Sequence, residues 1–306
     1  MSFFSRLITS SHHFAAQFTG SNGLLLMKSV SFGSNRRKKT SRDYAPLETF
    51  TSASPPTNLI VSALSIINHL ARTSAEYYPH LMEFGVIESL HHLLKHSSEA
   101  IIRAKALNTV GNLCRHSNLF YPMLISTRTP ALSNNDDHSL ADFMVRALDD
   151  NDKSVRRFAC FAIGNASFHD ASLYQYLRLA IPGLLTNADQ ADAKTRSNAG
   201  GALGNLVRNS EILCMELCNA KIPQHLWRMA QQEKDTNTRQ TLLFSVGNFC
   251  VFPVCVNSIV EAHPDFVEEL MELHASSQLQ DDRTSQSNIN RILGKLEALY
   301  QQQVSD

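Results

Sequence analysis

Four asparagines recur at matching positions in four similar segments of the chain, and their side chains are suited to binding a peptide. A side-chain amide both donates and accepts hydrogen bonds, so it can pair with the main chain of an extended partner. Three residues of an extended strand span roughly 10 Å, close to the roughly 8–10 Å between stacked helices. One amide per repeat can therefore meet every third residue of a bound segment. We call these residues the ladder asparagines: Asn112, Asn165, Asn205 and Asn248.

A second interpretation of the ladder asparagines is structural, with each amide tying its helix to the adjacent turn or repeat. Both interpretations are open from the residues alone. Phe161 and Phe244 stand four residues before Asn165 and Asn248. In the binding interpretation they form the apolar floor beneath the bound segment.

An arginine stands eight residues before the glycine that precedes each ladder asparagine. We interpret this arginine ladder as structural, anchoring helix starts or pairing with turn acids such as Asp152 and Asp235. The alternative is a row of charges that faces a ligand. The four residues are Arg103, Arg156, Arg196 and Arg239.

The chain carries no recognisable catalytic motif. It has no glycine-rich phosphate loop and no HRD, DFG, GxSxG or HExxH sequence. Cys214 and Cys218 can share a helix face, but neither a histidine nor a second cysteine pair stands at zinc-ligand spacing. We therefore expect no catalytic residue, no metal and no cofactor.

The elements that position these residues are repeated helices. The Gly-Asn pairs lie 53, 40 and 43 residues apart, with apolar or small residues at helical spacing before each pair. A helical unit repeated at a period near 40 is typical of an armadillo or HEAT solenoid. The fold expected is all-α, a right-handed α-α superhelix whose concave wall carries the asparagines. Because glycine disfavours a helix interior by about 1 kcal/mol relative to alanine, we expect the four ladder glycines to permit close helix approach.

Composition and cysteine usage predict a soluble intracellular protein, and we expect a cytoplasmic one. Apolar residues make up 43% of the chain, and 28 basic residues balance 28 acidic ones. Nucleic-acid binding is not expected, because it requires a basic face. Membrane insertion is not expected, because no apolar run reaches ~18 residues. The six cysteines sit in apolar helical patterns, which favours a reducing compartment. The oligomeric state is left open.

Four regions follow from the pattern. Residues 1–30 are interpreted as a degenerate repeat or a targeting segment, because the first 42 residues lack Asp and Glu and are rich in serine, as in a mitochondrial presequence. Residues 31–57 are expected to be a disordered basic, Ser- and Pro-containing linker. Residues 58–275 contain the repeats. Residues 276–306 form a C-terminal capping helix and tail.

At these residues the chain resembles the armadillo-repeat superfamily. More narrowly, RRFACFAIGNASFHDASLYQYLRLAIPGLL and KTRSNAGGALGNLVRNSEILC resemble the C-terminal helical-repeat region of Fused-type serine/threonine kinases, without the kinase domain. That resemblance implies binding to kinesin-like motors, with roles in cilia and axonemes, Hedgehog-type signalling or plant cytokinesis. It also implies a cytoskeletal or ciliary location. Nuclear-import adaptors carry tryptophan four residues before the ladder asparagine, where this chain has Asn108, Phe161, Gly201 and Phe244, so import-signal binding is not expected.

The function expected is a non-catalytic scaffold that binds an extended or helical segment of a protein partner in its groove. The alternative is a regulatory C-terminal part of a Fused-type kinase. Such a part is active only with a kinase domain, because the lysine, aspartate and Mg²⁺-binding set needed for phosphoryl transfer is not identifiable in this sequence.

Overall fold

The structure is a computed structural model that describes residues 6, 8, 10–21, 23, 24, 27, 56–126 and 138–305. Within those ranges every regular element is a helix. Four short 3₁₀ helices span Ala75–Tyr77, Ala147–Asp149, Arg178–Ala180 and Ser277–Leu279. The α-helices are α1 (His12–Gly20), α2 (Thr57–Thr73), α3 (Tyr78–Phe84), α4 (Val86–His96), α5 (Ala100–Leu113), α6 (Tyr121–Ser126), α7 (Leu140–Arg146), α8 (Lys153–Ala166), α9 (Tyr174–Leu177), α10 (Ile181–Ala188), α11 (Ala193–Asn205), α12 (Cys214–Asn219), α13 (Ile222–Gln232), α14 (Thr236–Phe249), α15 (Pro253–Ala262), α16 (Phe266–Ala275) and α17 (Arg283–Ser305).

Six of these helices pack side by side in one continuous row, each against the next: α2, α5, α8, α11, α14 and α17. We call them the ladder helices. A covering helix packs on the side of each ladder helix from α5 onward, in the order α4, α7, α10, α13 and α16. This pairing of one covering helix with one ladder helix is the repeating unit, and the all-α solenoid expected from the sequence is confirmed.

Aspartate side chains fix where the later ladder helices begin. Asp152 Oδ1 accepts hydrogen bonds from the backbone N–H groups of Ser154 and Val155, at 2.8 and 3.2 Å. Asp192 and Asp235 cap α11 and α14 in the same way. Such a cap satisfies backbone donors that have no partner inside the helix, and contributes about 1 kcal/mol. Ser154 is also a favourable N-cap residue, but it lies inside the helix, because the carboxylate of Asp152 caps the N–H groups of Ser154 and Val155 and the helix begins at Lys153.

A single apolar core runs between the two helix layers from Ile8 to Ile292. Trp227 is its largest fully buried side chain. Gly85, at φ 70°, makes the left-handed turn between α3 and α4. Ala15 of α1 is buried in the same core. The interpretation of residues 1–30 as a degenerate repeat or a targeting segment remains a prediction.

The C-terminal helix differs in length from the sequence interpretation. Helix α17 runs from Arg283 to Ser305 and packs against α14 as the last ladder helix, so the helix continues into the residues for which a tail was expected. Thr57, placed in the linker, is the first residue of α2. Most of the proposed linker, residues 31–55, lies outside the described residues.

No single helix among the described residues has the length and apolar composition of a membrane span. Helices α14 and α15 meet those criteria only as a pair bent by 120°.

Candidate functional site

The ladder face is the side of helices α5, α8, α11 and α14 that the covering helices leave open. Residues one helical turn before the ladder asparagines lie along it and are only half-buried. Leu107 and Val110, between these positions, are fully buried toward the covering layer. The ladder helices therefore present one continuous half-open strip, whose central residues are Asn108, Phe161, Gly201 and Phe244.

Three ladder asparagines use one amide N–H to tie their helix to the preceding ladder helix. In each case Nδ2 donates to the carbonyl oxygen of the ladder glycine one repeat earlier, which is the tie of the structural interpretation. The bonds run from Asn165 to Gly111 at 2.8 Å, from Asn205 to Gly164 at 2.9 Å and from Asn248 to Gly204 at 3.1 Å.

The four ladder asparagines differ in how much surface they retain. Asn112 and Asn248 are only 3% and 4% exposed, so they offer little to a partner. Asn165 and Asn205 are half-buried, and no described residue forms a hydrogen bond with their Oδ1 atoms. The amides open to a ligand are therefore those of the two central repeats.

At the two ends of the row of ladder helices, different hydrogen bonds join neighbouring helices. Between α2 and α5, Asn112 Nδ2 donates to Asn68 Oδ1 at 2.6 Å; it also donates to the carbonyl oxygen of Asn108 in its own helix at 2.9 Å. Between α14 and α17, Lys295 Nζ donates to the carbonyl oxygen of Gly247 at 2.5 Å. An ammonium group thus occupies the place that an asparagine amide holds in the other repeats.

Three of the four ladder arginines link one repeat to the next. Arg196 forms a bidentate ion pair with Glu233, with both N–O distances 2.8 Å. Its Nη1 donates to the carbonyl oxygens of Gln190 and Ala191 in the turn before its own helix. The hydrogen bond from Arg196 is the main cause that lowers the pKa of Glu233. Arg103 pairs with Asp150 and Arg239 with Asp282 in the equivalent positions.

The acids that we suggested as arginine partners have another role. Asp152 and Asp235 cap α8 and α14, whereas the paired acids stand two residues earlier in two of the repeats. Arg156 donates only to carbonyl oxygens, those of Asp150 and Asn151, among the residues described. The arginines therefore point into the turns between repeats and not along the ladder face.

Close helix approach explains some ladder glycines and not others. A Cβ on Gly204 would lie 2.3 Å from Cβ of Ser245 and 2.6 Å from its Cα, so the backbones touch there. A Cβ on Gly111 would meet the ring of Phe161 at 2.5 Å. On Gly164 the nearest atom would be 3.5 Å away, which is ordinary contact. The packing argument is therefore strongest at Gly204 and does not explain Gly164.

A row of tyrosines closes the C-terminal ends of the ladder helices, and the sequence analysis missed it. Tyr121 Oη donates to the carbonyl oxygen of Asn165 at 2.6 Å and accepts from the backbone N–H of His169 at 3.2 Å. Tyr78 and Tyr174 make the same pair of bonds in neighbouring repeats. Each tyrosine stands nine or ten residues after a ladder-position asparagine, a recurrence that the sequence does show.

Three cysteines meet where α12 packs against α15. Cys218 Sγ lies 3.6 Å from Cys255 Sγ, and a hydrogen bond from Cys255 lowers the pKa of Cys214. Cys255, 37 residues after Cys218, was not connected with the Cys214/Cys218 pair from sequence. No group of side chains with metal-binding geometry occurs in the part of the chain that the structure describes.

Solved structures place this geometry among known folds. A designed armadillo repeat protein in complex with the peptide (KR)4 superposes with a TM-score of 0.66, at 21% identity, over 79% of this chain and 95% of that one. An engineered protein superposes with a TM-score of 0.74, at 15% identity, over 96% of this chain and 62% of that one. The chain has an armadillo-type helical repeat fold.

Sequence relatives of this armadillo-type chain are Fused-type kinases, as the resemblance indicated. Serine/threonine-protein kinase 36 of Mus musculus is 31% identical over 209 residues, 65% of this chain. Serine/threonine-protein kinase TIO of Arabidopsis thaliana is 34% identical over 212 residues, 64% of this chain. The matched region is 15% of the length of each of these relatives. No protein-family model matches the chain. The residues that the structure describes form a helical repeat and not a kinase fold.

Proposed function

We propose that this chain is a non-catalytic scaffold that binds an extended segment of a partner protein along the ladder face. The observation that carries the proposal is the half-open amide pair Asn165 and Asn205. One N–H of each amide is used between repeats, and each Oδ1 remains to accept a main-chain N–H from a ligand. Phe161, half-buried beside them, supplies apolar contact.

The structural neighbours support this mode of binding. One of them, a designed armadillo repeat protein, is in complex with the peptide (KR)4. Main-chain hydrogen bonds to a peptide provide affinity, and side-chain pockets provide specificity. A kinesin-like motor and a cytoplasmic site at the cytoskeleton or cilium are the partner and location that the resemblance to Fused-type kinases favours, and they are part of this proposal.

Backbone methylation of the peptide tests the ladder face without changing the protein. Twelve-residue peptides selected from a random library would be resynthesised with N-methyl groups at every third residue, in each of three registers. One register removes the N–H groups that Asn165 and Asn205 accept, and should weaken binding roughly tenfold or more, because each lost hydrogen bond is worth about 1 kcal/mol. The other two registers are the matched controls.

If N-methylation weakened peptide binding equally in all three registers, the result would contradict recognition of the peptide main chain by the side-chain amides of Asn165 and Asn205. The position of the peptide would be checked with Asn165→Ala/Asn205→Ala, which should bind more weakly. Tyr176→Ala, at a 52% exposed position on α9 away from the ladder helices, should bind as the parent does. Unchanged binding by the asparagine variant would place the peptide elsewhere.

A second candidate is a regulatory part of a Fused-type serine/threonine kinase. Two of the relatives named above are serine/threonine kinases whose length this chain covers by only 15%, and that observation favours the candidate. Sequencing of full-length transcripts tests it. An open reading frame that joins these repeats to a glycine-rich loop and an HRD segment would establish the kinase version, and transcripts without one would favour the scaffold alone.

A further inference from the structure

Three cationic side chains gather at the C-terminal end of the ladder face. Arg208 follows α11, and Arg291 and Lys295 project from α17. The guanidinium carbon of Arg208 lies 4.1 Å from the ring centroid of Phe168 and 5.5 Å from that of Phe244. The guanidinium carbon of Arg291 lies 4.2 Å from the same Phe244 ring. We call Arg208, Arg291 and Lys295 the cationic corner.

No carboxylate of the described residues pairs with the cationic corner. Arg291 Nη2 donates to the carbonyl oxygen of Phe244 at 2.6 Å, and Lys295 Nζ donates to that of Gly247 at 2.5 Å. The Nε atom of Arg291 is buried and has no hydrogen-bond partner among the described residues. Arg208 is exposed. Three members of the arginine ladder, in contrast, each pair with an acid.

The three positive charges of the cationic corner repel one another. Burial, then Arg291 and Arg208, lower the pKa of Lys295 to about 8, opposed by Cys250. Burial and then Arg208 lower the pKa of Arg291. No carboxylate is among the groups acting on either residue. A bound anion would offset this repulsion, and the repulsion disfavours a basic ligand.

We propose that the cationic corner binds the carboxylate of an Asp or Glu side chain in the extended segment that occupies the ladder face. The proposal rests on the proposed function and adds the sign and place of the charge that the segment must carry. A guanidinium group matches a carboxylate in plane and donor spacing. The aromatic rings of Phe168 and Phe244 hold the two guanidinium groups in position. Because Gly247 is the last of the four ladder glycines along the chain, the acidic side chain lies toward one end of the bound segment.

Matched peptides test the proposal. Each selected twelve-residue peptide would be made with Glu or with Gln at every position in turn, and binding measured by fluorescence anisotropy. We expect Glu near one end to bind about tenfold more tightly than Gln at 50 mM NaCl, and the difference to shrink at 500 mM because salt screens charges. Arg208→Gln and Lys295→Gln should remove the difference. Arg208→Gln alters an exposed side chain with no hydrogen bond to a described residue, so its fold should persist.

Arg178→Gln is the charge-matched control. Arg178 pairs with Glu216 and lies in the short helix before α10, off the ladder face, so its loss should leave the preference for Glu intact. Equal binding of Glu and Gln peptides to the parent would overturn the inference while leaving the ladder-face function standing. Tighter binding of phosphoserine where Glu gives no gain would overturn the assignment to a carboxylate.

A second measurement separates the two proposals if no long peptide binds. The titration of Lys295 would be followed by NMR of ¹³C-lysine-labelled protein with acetyl-Gly-Glu-Gly-amide or its Gln counterpart. Occupation by the Glu peptide should raise the pKa of Lys295, and the Gln peptide should leave it unchanged. A shift without binding of long peptides would retain the cationic corner and contradict the ladder-face function. The absence of a shift with Glu would overturn the cationic corner directly.

Discussion

Asn205 Nδ2 donates a 2.9 Å hydrogen bond to the carbonyl oxygen of Gly164, one repeat before it in the chain. The bond joins α11 to α8 through a carbonyl oxygen in the last turn of α8, which accepts no backbone N–H of the described residues because the N–H of Phe168 donates to the carbonyl of Asn165 instead. Asn165 repeats the relationship with Gly111. In these two pairs of repeats, the ladder glycine therefore supplies the hydrogen-bond acceptor, and the ladder asparagine of the following repeat supplies the donor.

Removal of two of these donors should destabilise the solenoid. We expect Asn165→Ala/Asn205→Ala to lower the free energy of unfolding by about 2 kcal/mol, from about 1 kcal/mol per hydrogen bond, measured by urea denaturation. Asn257→Ala is the control, because Asn257 is an exposed helical residue and reports only the gain in helix propensity. A double variant as stable as this control would show that the ties contribute nothing.

Substitutions at two ladder glycines should have opposite signs. Gly204→Ala places a Cβ 2.6 Å from the backbone Cα of Ser245, so α11 and α14 must separate. We expect a loss of about 1–3 kcal/mol in the free energy of unfolding. Gly164→Ala meets nothing nearer than 3.5 Å, and should gain up to about 1 kcal/mol from helix propensity. Thermal unfolding of the two variants beside the parent tests the pair, and equal losses would contradict it.

The fold could be predicted from sequence because its signals are local. The spacing of apolar residues before each Gly-Asn pair indicates a helix, and the recurrence of the pairs indicates that this helix is repeated. Helix starts are less predictable from sequence, since Asp152 caps α8 although Ser154 is a comparably favourable cap residue. A serine and an aspartate two residues apart are both good caps, and only geometry shows which one reaches the donors.

The candidate site was only partly predictable, because its contacts join residues about 30–50 positions apart. The sequence does not show which of two amide atoms faces a neighbouring repeat, so Asn112 and Asn165 look equivalent although only Asn165 keeps an open Oδ1. The cationic corner joins Arg208 to Arg291 through the ring of Phe244. Arg208 stands three residues after a ladder asparagine, as Arg115 does, but no spacing in the sequence relates it to Arg291, and only the packing of α17 as a ladder helix brings the two together.

Tyr121 tests the hydrogen-bonding row that closes the ladder helices. Tyr121→Phe leaves the carbonyl of Asn165 and the N–H of His169 without the hydroxyl that serves both. We expect a loss of about 1–2 kcal/mol, because the N–H of His169 loses its partner, whereas the carbonyl of Asn165 keeps the hydrogen bond from Phe168 N–H. Tyr176→Phe, which changes an exposed ring, should have an effect below about 0.5 kcal/mol. Similar small effects at both positions in urea denaturation would contradict a stabilising role for the row.

Lys295 should make stability depend on pH above neutrality. Its pKa falls from the ordinary lysine value of 10.5 to about 8 in the folded protein, mainly by burial and then by Arg291 and Arg208. Between about pH 8 and 10.5 the unfolded chain binds more protons than the folded chain, so the free energy of unfolding increases with pH in this window. The charged form of Lys295 therefore destabilises the fold most below about pH 8, and this destabilisation decreases as the pH rises. The free energy of unfolding of the parent, relative to Lys295→Met, should therefore increase from pH 7 to pH 9.5. Cys250, the other titratable group in contact, has a pKa raised to about 12 by burial and does not ionise in this range. A difference between parent and variant that stays constant with pH would show that the ammonium of Lys295 is not held in an unfavourable setting.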